Sequence, residues 1–264
     1  MTTSPPANPL VHARIERHVA TITLDRPDKR NALTDEMLDQ LIGALDAIEG
    51  DPDVRVVLLR GNGSSFCSGV DLAEKLARRG TDGSVEFTRL VEVFERLDSH
   101  PNPTLAILQG TSLAGGWELA LHCDIRFTAP DSRFGMPLAR LGLVVPYPAA
   151  ARLVQIAGIA AATDLLLSAE LIDGTRAHAL GLATHLAAAN DLENAAAVHA
   201  TKIAALAPLA IREMKRLLRR IALAPDQATL EEFDEARRRI TGSADTEEGL
   251  RAFLERRAAR FVGR

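Results

Sequence analysis

The 264-residue chain is poor in aromatic side chains, which make up 4% of it, with one tryptophan and one tyrosine. Its core must therefore be largely aliphatic and alanine-built. Two cysteines, Cys67 and Cys123, make no disulfide framework. The seven histidines form no His-Glu-x-x-His pattern and no Cys-x-x-Cys occurs, so no metal site is expected. Excess basic charge is missing as well: the formal net charge is −4, and no basic patch carries aromatic residues for base stacking. Nucleic acid is not an expected partner. No run reaches the roughly 18 apolar residues of a membrane span. Met1 to Pro9 holds three prolines but neither a basic residue nor an apolar segment of signal-peptide type. The expectation is a cytoplasmic protein with no membrane partner.

What the chain does have is length enough for a sizeable core, with 47% hydrophobic and 25% charged residues. Val11 to Arg17 and His18 to Leu24 read as a hairpin. Thr34 is placed to cap a helix whose apolar stripe is Met37, Leu38, Leu41, Leu45 and Ile48, ending near Gly50. Val54 to Leu59 and Thr104 to Leu108 are nearly continuous apolar runs, the pattern of strands covered on both faces. Asp124 to Ala129 reads as another strand, and a break is expected at Arg79-Gly80-Thr81-Asp82-Gly83. From Asp191 onward the pattern is helical. The chain divides on this reading into an α/β body, residues 1–198, and a C-terminal helical region, residues 199–264. The basic run Arg212, Lys215, Arg216, Arg219, Arg220 is expected to be a solvated helix face, and Asp124 to serve local hydrogen bonding.

The stretch from Gly110 to Asp124 concentrates the chemistry. A strand leads through Gly115 and Gly116 into a helical pattern, and backbone N–H groups at such a helix start favour negative charge. Glu118 stands three residues beyond Gly115, so its carboxylate can share that first turn. A second glycine-rich loop, Gly61 to Leu72, directly succeeds the Val54 to Leu59 strand. Gly61-x-Gly63 is no dinucleotide fingerprint, because Phe66 stands where the third glycine belongs. Cys67 has no sequence-placed histidine to activate it and is read as structural.

Phe66-Cys67-Ser68-Gly69-Val70-Asp71-Leu72, Gly115-Gly116-Trp117-Glu118-Leu119-Ala120 and Cys123-Asp124-Ile125-Arg126 together resemble the enoyl-CoA hydratase/isomerase (crotonase) superfamily. The likeness runs from Leu24-Asp25-Arg26-Pro27 to Ala252-Phe253-Leu254-Glu255-Arg256-Arg257. The resemblance implies an α/β fold, a spiral of β-β-α turns followed by helices that mediate a homotrimer or dimer of trimers. It implies an acyl-CoA thioester substrate, with coenzyme A as part of the substrate and no separate cofactor. It further implies that the backbone N–H groups of Val70 and Gly115 hold the thioester oxygen as it becomes an enolate, with Glu118 as acid, base or orienting group. Lys29, Arg30, Ala32, Ser68, Asp71 and Leu72 would meet the coenzyme portion, although Lys29 and Arg30 equally suit a solvated loop. Trp117 and Leu138 would border the acyl group, Trp117 having a core role as its other reading.

The pattern departs from the family at one point. Family hydratases carry a second glutamate after a Phe-x-x-Pro pattern, and here Phe134-Gly135-Met136-Pro137 is followed by Leu138. Leucine cannot move a proton. Val145-Pro146-Tyr147, together with Glu118 and the chain end, resembles the methylmalonyl-CoA decarboxylase branch, in which Tyr147 would join the site. Tyr147 reads alternatively as a packing residue. Three functions stay open: an atypical hydratase or isomerase, a malonyl-type acyl-CoA decarboxylase, and an acyl-CoA-binding homologue without turnover.

Overall fold

A computed structural model describes residues 9–78, 87–223, 241 and 243–264. The expected break from Arg79 to Gly83 lies outside the described residues. Strands β1 (Val11–Glu16) and β2 (Val19–Leu24) form the anticipated hairpin, with Glu16 opposite Val19. Its two turn residues, Arg17 and His18, both have left-handed φ, 49° and 66°, which gives the two-residue turn that matches strand twist. Helix α1 (Asp35–Glu49) begins where Thr34 accepts the Met37 N–H and ends at Gly50. Its predicted apolar stripe is buried along its whole length.

Strand β3 (Val56–Gly61) runs parallel to β2 and to β4 (Thr104–Leu108), and β4 runs parallel to β6 (Ile125–Thr128). With β9 (His185–Leu186) they make a six-stranded sheet in the order β1-β2-β3-β4-β6-β9. Alternation along β3 and β4 sorts their side chains between two layers. Val57, Leu59, Ala106 and Leu108 join the core under α1 and α3 (Thr88–Ser99). Val56, Leu58, Leu105 and Ile107 instead meet α7 (Leu192–Ala204) through Leu192, Ala196, Ala200 and Ala204. Both faces are covered, as the continuous apolar runs required. The expected division between residues 198 and 199 therefore falls inside a helix whose single buried face belongs to the body.

A second sheet, β5-β7-β8, has no counterpart in the sequence pattern because its strands are two or three residues long: β5 (Thr111–Leu113), β7 (Arg133–Gly135) and β8 (Ile172–Asp173). The remaining described α-helices are α2 (Leu72–Ala77), α4 (Gly115–Leu121), α5 (Tyr147–Ser168), α6 (Gly174–Ala179), α8 (Pro208–Leu223) and α9 (Ala244–Glu255). Helix α5 is kinked at Gly158, whose φ is 77°. Although the chain shows no unbroken apolar run there, α5 has a mean hydropathy of 1.5 and is long and apolar enough to cross a membrane by length and composition alone. The bent pair α7 and α8, at 108°, would pass the same test as one span.

The basic run on α8 is not simply a solvated face. Arg212 Nε donates to Asn102 Oδ1 at 2.8 Å, and Lys215 Nζ meets Asp124 at 2.8 Å. Arg219 reaches Asp124 Oδ1 at 2.8 Å and the His122 carbonyl at 3.0 Å. Asp124 also accepts from the N–H and hydroxyl of Thr104, so its local role widens into a tie between β4, β6 and α8.

Candidate active site

The two glycine-bearing loops lie against each other. Cys67 N–H donates to Thr111 O at 3.2 Å, and Leu113 N–H to Cys67 O at 3.0 Å, which splices the loop after β3 onto β5. Asn31 fixes that loop from the other side: its buried Nδ2 donates to the carbonyls of Asn62, Ser65 and Phe66. No local pattern singles out Asn31, because its acceptors lie more than thirty residues away. Gly69, at φ 98°, lets the chain pass β5 so closely that a Cβ there would stand 3.0 Å from Leu113 O and 3.4 Å from Gly115 N. A Cβ on Gly115 would in turn lie 3.6 Å from Val70 N. The N–H groups of Val70 and Gly115 are thus neighbours at the start of α4. Among the described residues neither donates to a protein acceptor.

Both residues border a cavity of about 130 Å³. Its other walls include Leu90 on α3, Leu113 on β5, Leu138, Leu141, Leu143 and Val144. Glu118 is the one ionisable side chain on the lining among the described residues. It is 2% exposed, and its Oε1 has no hydrogen-bond partner there. Burial pushes its carboxyl up to about 7, and among the described residues no cation offsets the lost hydration. The group can therefore both hold and release a proton near neutral pH.

Of the sequence-predicted residues, Val70, Gly115, Glu118, Ser68, Leu72 and Leu138 come together on this lining. Lys29 and Arg30 are exposed and stand beside the Ser68 edge through their backbone, where Ser68 N–H donates to Arg30 O at 2.9 Å. Ala32 lies off the lining, and its carbonyl accepts from Arg26 at 3.0 Å. Three others stand elsewhere. Asp71 caps α2 and meets Arg26 at 2.8 Å. Those hydrogen bonds, Arg26 first, hold its carboxyl below the usual carboxylate range. Trp117 is fully buried against Phe134 and does not line the cavity. Tyr147 is 84% exposed at the start of α5 and lies off the lining, although its neighbour Pro146 borders it. Cys67 agrees with its structural reading: burial pushes its thiol up to about 12.

Residues 14–264 match the sequence profile described as enoyl-CoA hydratase/isomerase. The chain is 32% identical to a 2,3-dehydroadipyl-CoA hydratase from Escherichia coli, over 94% of this chain and 97% of that protein. A solved enoyl-CoA hydratase/carnithine racemase from Magnetospirillum magneticum superposes with a TM-score of 0.89 at 32% identity, covering 97% of this chain and 96% of the other. An enoyl-CoA hydratase from Mycobacterium tuberculosis H37Rv gives 0.86 at 32% identity, over 97% and 100% of the two chains.

Proposed function

Because the chain belongs to the enoyl-CoA hydratase/isomerase family, we propose that it transforms an acyl-CoA thioester through an enolate, with Glu118 as its proton-transferring group. The observation that carries this reading is the meeting of one buried carboxyl, on a single apolar lining, with two N–H groups that have no acceptor among the described residues. The thioester oxygen would accept from Val70 and Gly115, whose donors are aimed before charge develops. Comparable preorganised donors are worth about 3 kcal/mol each. Glu118, balanced near neutrality, would move a proton at the carbon next to the thioester carbonyl. Ser68 and the backbone at Lys29 and Arg30 would lie along the coenzyme. A homotrimer or dimer of trimers is part of the proposal.

Leu138 favours a second reading, decarboxylation of a malonyl-type thioester. There the electrons of the breaking C–C bond pass to the thioester oxygen, carbon dioxide leaves, and neutral Glu118 protonates the α-carbon. No second carboxylate is needed, and an apolar cavity disfavours the substrate's carboxylate. The position of Tyr147 lends this branch no support. The test offers crotonyl-CoA and methylmalonyl-CoA separately to the wild type and to Glu118→Gln. Hydration lost in the variant supports the first reading; carbon dioxide release lost in the variant supports the second. Binding of both esters without turnover would leave an acyl-CoA-binding protein.

A further inference from the structure

Among the described residues the Glu118 carboxyl has no side-chain partner, so it is placed by the backbone of α4 and by packing. That helix is under two turns long, and its last turn tightens. The His122 N–H donates to Leu119 O at 3.3 Å, three residues back, and so leaves the Glu118 carbonyl without the N–H that a regular helix would supply. The imidazole of the same residue fills the gap: His122 Nδ1 lies 2.8 Å from Glu118 O. A carbonyl accepts only, so Nδ1 carries the proton.

The ring is held on every side. It is 1% exposed along its side chain and stacks on Phe94 of α3 at 4.2 Å with the rings 2° from parallel. Its Nε2 faces Asp98 at 3.8 Å, and Asp98 is itself paired with Arg152 of α5 and Arg219 of α8. Arg219 also donates to the His122 carbonyl at 3.0 Å.

We propose that His122 is the positioning residue for Glu118, and that through Arg219 it makes the aim of the carboxyl depend on the seating of helix α8. This rests on Glu118 being the proton-transferring group. His122 touches neither the cavity nor the substrate; it acts by fixing the turn from which Glu118 projects. A misplacement of about 1 Å at such a group lowers turnover on the order of a hundredfold, so a partial loosening should read as about tenfold.

The test compares His122→Phe, which keeps the stack and removes the donor, with His122→Asn, which keeps a donor at the Nδ1 position. The expected result for His122→Phe is a kcat lower by about tenfold with KM within about threefold of wild type, and recovery to within about threefold in His122→Asn. If the phenylalanine variant does not fold, His122→Leu provides the same contrast. The second readout needs no turnover: the 13C-NMR titration midpoint of the Glu118 carboxyl should move by about half a pH unit or more in the donorless variant and return in His122→Asn. Unchanged kcat and an unchanged midpoint overturn the proposal, as does an equal loss in the asparagine variant. If the wild type turns over no acyl-CoA, the enzymatic reading fails by itself and the NMR midpoint still decides this one.

Discussion

Gly116 is packed directly onto Cys67: a Cβ on Gly116 would meet the Cys67 carbonyl oxygen at 2.4 Å and its Cβ and Sγ at 2.7 Å. The nearest of these atoms is a backbone carbonyl oxygen, and Cβ is fixed to the backbone, so the clash cannot be relieved by swinging the thiol away. It holds the start of α4 against the loop that carries Val70. Gly116→Ala is therefore expected to destabilise the protein by about 2–3 kcal/mol in urea unfolding and to weaken acyl-CoA binding, because the two N–H groups part.

Ala114, just before α4, is held at φ 44° and ψ −125°, a conformation that disfavours any residue with a Cβ. Ala114→Gly removes that strain, at the expense of a more flexible unfolded chain. The expected net effect is a gain of about 1 kcal/mol, read as a higher urea midpoint at unchanged slope.

The buried Glu118 makes stability depend on pH. Its carboxyl has a pKa of about 7 when folded, against 4.5 as the ordinary value. The folded chain holds the proton more tightly, so this contribution is present below about pH 4.5 and is lost as pH rises through about 7. Relative to Glu118→Gln, the wild type should lose roughly 3 kcal/mol across that window. Urea unfolding of both proteins at pH 5 and pH 8 measures it, and equal differences at the two pH values would refute the assignment.

Leu138 borders the same cavity as Glu118 and cannot transfer a proton. Leu138→Glu would add a second carboxyl to an apolar space, where the two groups share a proton rather than ionise together. The expected outcome is an increase of about tenfold or more in crotonyl-CoA hydration, monitored by loss of the enethioester absorbance. A variant that folds and binds the ester without gaining hydration would contradict the single-carboxyl explanation.

Asp71 should behave as a structural residue. Asp71→Ala removes the cap of α2 and the partner of Arg26, with an expected loss of about 1–2 kcal/mol. Its KM for an acyl-CoA that the wild type accepts should stay within about twofold. A large rise in KM at unchanged stability would restore the residue to the coenzyme contacts.

The hairpin, α1 and the paired strands β3 and β4 were legible in the chain because each is written in short-range periodicity. Thr34 caps the helix that begins at the very next residue, and unbroken apolar runs mean cover on both faces. The two glycine loops were legible for a related reason: close approach and left-handed backbone leave glycine few substitutes. The small second sheet was not, since strands of two or three residues have no period to read.

What the sequence by itself determined was a set of parts: an α/β body with two glycine loops, one glutamate at a helix start, and leucine where a second acid would stand. Only the tertiary structure decided which parts meet. It brought Val70 beside Gly115 at the start of α4 and paired Asp71 with Arg26. It sent Tyr147 outward and Trp117 into the core, and it set His122 behind Glu118. The physical reason is that desolvation and hydrogen-bond partnership belong to a place in space. The carboxyl of Glu118 rises to about 7 because cavity walls from several distant segments exclude water from it.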